Sequence, residues 1–357
     1  MNENTLKNRI RSLQGMRAIL FLGVLSFHCG IGNQGAWCVS VFFILSGFVY
    51  SYHYLLDGIN LETNFKSRVE FTLTKIMKLY PMHCVMMIAK LLLMIIKGAG
   101  IAYIISLYET IIPNIFLIQS WYPDSRYYFS YNGASWYLST TLFLYFMFPI
   151  ILKRLRKFGS KKVLCYLGSV IVVQLSVAIY LMYTPHPLQI GNNFRKWVTY
   201  ICPIYRLGDF IIGCCLGYFY IHRKKNQESL IRGTVKECGA IVFGIIQIFI
   251  YTILQSNSKW DSVRYSILFI PSSMLIVYFL AEDNGGVSWV LSRKWIVKLG
   301  ELSAGMYITH QVIIGYINAI GVEEKYVVCI LAYLVCLVCT NLFLKSAKII
   351  EYFFERI

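Results

Sequence analysis

The sequence predicts an all-α polytopic membrane protein with about ten transmembrane helices and both termini in the cytoplasm. Three observations carry that expectation. The 357 residues are 57% hydrophobic and only 14% charged, with a mean hydropathy of +0.58. A soluble domain carries about 25% charge, so this much apolar surface exceeds what one core can hide and the bilayer must serve as solvent. Apolar segments of spanning length recur along the chain, and the basic residues between them alternate in density, as orientation in a bilayer demands.

The segments fall at 13–31, 36–55, 79–98, 134–152, 163–183, 200–221, 237–256, 264–281, 299–319 and 325–344, each near the ~20 residues a crossing helix needs. The first lacks a small-residue cleavage site and runs at once into the second, so it reads as a span rather than a removable signal. The stretch 101–121 holds Glu109, Pro113, Asn114 and Gln119 and reads as re-entrant or packed on the outer face. With the N-terminus inside, 24 lysines and arginines fall in inner loops and seven in outer loops, with Arg17, Lys90 and Arg206 inside spans. The net charge of +17 therefore reports orientation and calls for no nucleic acid. Connections at 56–75 and 222–236 are too short to build a soluble core. One membrane-embedded domain over 1–345 is expected, followed by an amphipathic cytoplasmic tail, 346–357, at the inner interface. The eleven cysteines lie mostly in apolar runs and read as small hydrophobes. Cys336 and Cys339 form a lone CxxC on a lipid-solvated helix, too little for a metal or redox site, and no metal is expected.

Ionisable side chains inside the spans hold the chemical information. Arg17 and His28 are eleven positions apart, which is three helical turns plus ~20°, so they share a face ~16 Å apart. In one reading Arg17 snorkels to the inner headgroups and His28 sits at the outer interface. In the other, both face a pathway through the bundle, with a cation near the cytoplasm and a proton-transfer group further out. Ser46, Gly47 and Phe48 read either as close-packing residues or as a place where a ligand approaches the backbone. Lys75 and Lys78, three apart on one helical face at the inner surface, read as topology signals or as a phosphate clamp. Arg206 and Asp209 are spaced i, i+3 and can pair structurally or serve a site. His310 is a candidate second site histidine. Trp136 is an interface anchor or a sugar-stacking ring. His53, His83, His186 and His222 lie in or near loops and receive no role.

The motifs "LQGMRAILFLGVLSFH", "VFFILSGF", "KIMKLYP", "SWYLSTTLFLYFMFP", "YRLGDFIIGCCLGY" and "GELSAGMYITHQ" stand in the order found in acyltransferase family 3, which the chain resembles over essentially its whole length. These are integral membrane enzymes that O-acylate bacterial surface carbohydrates. The most specific element is an arginine, ten residues and a histidine, here Arg17 and His28; Ser46–Phe48 and Tyr307–His310 also match. Gln14 and Thr141 stand where many members carry acidic residues, and Lys75 and Lys78 replace an arginine pair, which is not an equivalent exchange at a bidentate phosphate site. Some members carry an extracellular hydrolase-like domain after the last span, and none is expected here.

The resemblance implies an O-acetyltransferase of the bacterial inner membrane, with acyl-CoA, chiefly acetyl-CoA, as co-substrate and no bound cofactor. Its acceptor would be a hydroxyl on a cell-surface or lipid-linked carbohydrate. Arg17, Lys75 and Lys78 would bind the donor, and His28 would be the general base or a transient acyl carrier. An ordinary imidazole pKa of ~6.5 suits proton transfer at neutral pH. The competing class is a transporter or flippase without covalent chemistry, which ten spans and buried Arg and His also suit. No inverted repeat is visible, however, and few acidic residues lie mid-span to couple ions.

Overall fold

The computed structural model describes residues 9–100, 106–184, 194–223 and 229–354, with side chains through Ser346. Helix α1 (Arg11–His28) leads to α2 (Gly35–Leu56). The pair α3 (Phe65–Ile76) and α4 (Tyr80–Ile96) is bent by 58°, and a short α5 (Tyr108–Ile115) follows. Then come α6 (Trp136–Lys157), α7 (Ser160–Tyr183), α8 (Pro203–His222) and α9 (Leu230–Leu254). The last three are α10 (Ile270–Glu282), α11 (Lys294–Ala319) and α12 (Lys325–Phe354). No strand occurs among the described residues.

Six helical stretches are long and apolar enough to cross a bilayer, or eight if each of two bent pairs is one span. The chain is thus a helical, multi-pass membrane protein, and the count falls short of ten at two helices, α1 and α11. Both are long enough, at 18 and 26 residues. Arg11, Gln14, Arg17 and His28 lower the apolar character of α1, and Lys294, Lys298, Glu301, His310 and Gln311 do the same for α11. The two helices that carry the ionisable motif residues are also the two that apolarity alone does not mark as spans. Within 101–121 the described part is no crossing helix: α5 has eight residues, or ~12 Å of rise.

Several expectations lie outside the described residues: Lys7 within 1–8, residues 101–105, His186 within 185–193, Lys224 and Lys225, and Arg356. The tail's side chains beyond Ser346 also lie outside them, and with them its amphipathic reading.

Burial separates a polar-tolerant centre from an apolar periphery. The apolar windows of the stretches containing α8 and α6 are 72% and 61% buried, whereas those of α7, α9 and α12 are 22%, 28% and 22% buried. The outer helices expose Leu164, Val172, Val242, Phe249, Ile330 and Leu334, a surface that lipid must cover. In the centre α2 packs most extensively on α8. There Gly47 meets the Phe210 carbonyl and Gly213 meets the Ile44 carbonyl so closely that a Cβ on either would collide with backbone. Helix α1 packs chiefly on α11 by the same device, with Gly300 against the Gln14 carbonyl, while Gly15 meets the carbonyl of Leu291 in the short helical segment just before α11. Small residues let helices in lipid approach this far, where association rests on packing rather than on hydrophobic burial.

Lys75 and Lys78, expected on one helix, fall on either side of its end. Helix α3 stops at Ile76, residues 77–79 form a turn, and Pro81 sits in the first turn of α4. Proline tolerates a helix start but not its interior, so the chain re-initiates here, with Lys75 in the last turn of α3 and Lys78 in the turn that follows.

One buried ion pair ties the bundle together. Arg206 and Asp209 are wholly buried on α8, 2.5 Å apart. The guanidinium also donates to Ser40 Oγ of α2 and to the carbonyls of Tyr200 and Tyr265. The carboxylate accepts from Gln174 of α7 at 2.9 Å and from Ser266 at 3.0 Å. Arg206→Ala should leave a buried carboxylate uncompensated, at a cost of about 3–5 kcal/mol. It is expected to lower yield and melting temperature in fluorescence-detected size exclusion. The double variant Arg206→Met with Asp209→Leu should recover much of that loss, because an apolar pair needs no compensation. A single variant as stable as the parent would show that the pair carries no structural load.

Candidate active site

The face of α1 that holds Arg17 and His28 is lined by three cavities in series. The first, about 580 Å³, opens among Arg9, Gln14, Arg17, Tyr52, His53 and Glu301. A second of only about 80 Å³ begins at the same Arg17 and includes Ser46, Lys75, Tyr137, Tyr145 and Tyr307. Tyr307 also borders the third, about 510 Å³, which contains His28, Trp136, Lys196 and Gln311. Arg17 and Tyr307 therefore stand at the two junctions. The close approach of α11 to α1 at Gly300 makes this possible, because it holds Ser303, Tyr307, His310 and Gln311 against the α1 face.

The inner junction is electropositive without compensation. Arg17 makes no ion pair among the described residues, and its Nε is buried with no hydrogen-bond partner there. A buried donor left unsatisfied costs about 1–3 kcal/mol, more for a charged group, so the guanidinium is primed for an anion. Lys75 faces the same cavity, with its ammonium 5.3–6.0 Å from the ring centroids of Phe71, Tyr54 and Tyr50. The one carboxylate of the inner cavity, Glu301, is bound to Arg9 at 2.8 Å. Lys78 falls in the exposed turn after α3 and is not among the lining residues of this cavity.

At the outer end His28 is accessible from the third cavity. Its Nε2 lies 3.1 Å from Gln311 Nε2. An amide nitrogen only donates, so His28 Nε2 accepts and its ring proton sits on Nδ1. The lone pair a general base needs is therefore directed at Gln311. His310 packs beside it, with ring centroids 5.0 Å apart. His310 Nδ1 donates to the Tyr307 carbonyl at 2.6 Å, while its Nε2 is buried without a partner among the described residues. Trp136 is 3% exposed and forms part of the cavity wall against Tyr200, so it is not an interface anchor.

The remaining sequence candidates divide by position. Ser46 lines the narrow cavity, whereas Gly47 is spent on the α2–α8 contact and Phe48 is fully buried, so the close-packing reading holds for those two. Arg206 and Asp209 fasten the helices behind the outer cavity and reach it through Tyr200 and Tyr265. Thr141 borders the narrow cavity and Gln14 the inner one. His83 is buried on the Asn114 carbonyl, and His222 bonds the Tyr218 carbonyl. His53, given no role from sequence, lines the inner cavity. Gln311 and Tyr307 were not singled out as site residues in their own right, although they stand at i+1 and i−3 from His310. Among the described residues no three His, Cys, Asp or Glu side chains are grouped to hold a metal ion.

Comparison with known proteins bears on the family of the chain. The chain is 22% identical to the acyltransferase MdmB of Streptomyces mycarofaciens over 327 residues, covering 86% of this chain and 80% of that protein. It is also 22% identical to the O-acetyltransferase OatA of Staphylococcus aureus over 331 residues, 88% of this chain but 52% of the relative, so it spans about half of that protein's length. No solved structure matches the chain. The profile of acyltransferase family 3, described as an acyltransferase domain, matches residues 10–345. On that match, the chain belongs to acyltransferase family 3.

Proposed function

We propose that this acyltransferase moves an acyl group, chiefly acetyl, from cytoplasmic acyl-CoA to a hydroxyl of a cell-surface or lipid-linked carbohydrate. The observation that carries the reading is the series of cavities on one face of α1, with a guanidinium that has no ion pair among the described residues at one junction and an imidazole lone pair in the outer chamber. The donor's phosphates would rest by Arg17 and Lys75, and its thin arm would run past Ser46 and Tyr137 towards His28. A cavity of about 80 Å³ holds two or three waters at ~30 Å³ each, so the arm passes only when Tyr307 or its neighbours turn aside.

In the outer chamber the acceptor hydroxyl would replace Gln311 at His28 Nε2. His28 takes the hydroxyl proton as the oxygen attacks the thioester carbonyl. The C–S bond then breaks, and the imidazolium returns the proton to the departing thiolate. The products are an ester and free CoA, and His28 ends as it began. In this scheme the basic loops face the cytoplasm of a bacterial inner membrane. A flippase reading has less support, since the family is one of acyltransferases and transport alone leaves the His28–Gln311 arrangement without a task.

His28→Ala should reduce transfer of labelled acetyl groups by about 10²–10⁴-fold, the usual contribution of a positioned base, with insertion and yield unchanged. A variant that retained substantial transfer would remove His28 from the chemistry.

Arg17→Ala should weaken acetyl-CoA binding by roughly 10–100-fold, the range for a lost hydrogen bond to a charged group, while acceptor affinity stays constant. Lys75→Ala should act in the same direction. Lys78→Ala should have little effect, because an exposed lysine is solvated. Unchanged donor affinity in both Arg17→Ala and Lys75→Ala would exclude the phosphate role.

Orientation is open to direct measurement. Ser160 and Ser258 are both exposed, the first at the start of α7 and the second in the link before α10. In a background without the native cysteines, Ser258→Cys should react with an impermeant maleimide in intact spheroplasts. Ser160→Cys should react only after lysis. The reverse pattern would place the basic loops away from the donor.

A further inference from the structure

The outer cavity carries a charge that the acyl-transfer reading does not use. Two cations line it, Lys196 and Arg264, and no aspartate or glutamate does. Arg264 is neutralised by Asp261, with Nε and Nη2 both 2.7 Å from the same carboxylate oxygen. Lys196 makes no ion pair among the described residues. Its ammonium instead lies over two rings, Phe129 at 5.6 Å and Tyr265 at 5.7 Å, within the ~6 Å range of cation–π attraction. The surrounding wall is aromatic: Trp136, Tyr200, Tyr251 and Tyr265 all border the chamber. This half-buried ammonium is poorly compensated: besides the rings it feels Arg264 and Asp261, whose opposite charges act on it in opposite senses, and that acid is already taken by Arg264.

Resting on the acyl-transfer reading, we infer that the acceptor is anionic: a saccharide bearing a carboxylate or phosphate beside the acylated hydroxyl, which Lys196 holds while the aromatic wall covers the sugar ring. Rings suit the apolar faces of a sugar, Gln311 and Asn33 offer amides to its hydroxyls, and the ammonium discriminates acidic from neutral acceptors. A strongly charged donor bound at the inner junction does not meet this lysine. The discrimination is therefore a property of the acceptor side alone.

The test uses the full chain in phosphatidylcholine nanodiscs, with methyl β-glucuronide and methyl β-glucoside compared by saturation-transfer NMR. The parent should prefer the glucuronide by about tenfold, equivalent to ~1.4 kcal/mol. Lys196→Gln should bring the two within about twofold, and Lys196→Arg should keep the preference. Equal binding of the two probes, no signal from the glucuronide, or an undiminished preference in Lys196→Gln would each overturn the inference. Repeating the comparison in phosphatidylglycerol separates the sources of anion. Loss of the preference there would mean that Lys196 serves a lipid phosphate, and the saccharide assignment would fall. Acetyl-CoA affinity in the same discs reports separately on the donor reading: its absence in the parent, with the glucuronide preference intact, would remove the acceptor role along with acyl transfer.

Discussion

The close contact of α1 with α11 is the constraint on which the rest of the site depends. Gly300 against the Gln14 carbonyl fixes the distance between the two helices, and Gly15 against the Leu291 carbonyl seats α1 on the segment that leads into α11. Both carry residues that lipid would reject, and each shields the other. That mutual shielding brings Tyr307, His310 and Gln311 beside Arg17 and His28. It also explains why neither helix passes as a span on apolarity alone: their solvent is chiefly protein.

A second glycine contact, between α2 and α8, does the corresponding work behind the site. Gly47 and Gly213 bring the backbones together, and the buried Arg206–Asp209 network fastens α2, α7, α8 and the segment before α10. Tyr200 and Tyr265 hang from that network as carbonyl acceptors and present their rings to the outer chamber. An ionic fastener inside a membrane protein is costly unless every donor and acceptor is matched. Here five protein groups surround the pair.

Much of this was legible in the sequence, for identifiable reasons. Helical periodicity alone put Arg17 and His28 on one face, since nothing interrupts α1 between them. Spans of high apolar content were found because lipid imposes length and composition together. The helix end between Lys75 and Lys78 was not legible from spacing alone, because it depends on the restart that Pro81 allows. Gly47 was ambiguous for a different reason: a close-packing glycine and a ligand-approach glycine look alike until the partner helix is known. Lys196 and Gln311 carried no signal above their neighbours. Their importance comes from which cavity they border, and that is decided by contacts between segments far apart in the chain.

The narrowness of the middle cavity has a consequence for the cell's energetics. Two chambers of more than 500 Å³ separated by an aqueous passage would conduct ions and dissipate the membrane potential, which is worth about 2.3 kcal/mol per charge per 100 mV. Between them the space narrows to about 80 Å³, room for two or three waters at ~30 Å³ each. Arg17 and Lys75 on its walls repel protons and metal cations from one side. The same side chains that would attract a polyanionic donor would thus oppose the passage of cations, and a thin neutral arm would occupy the constriction during turnover.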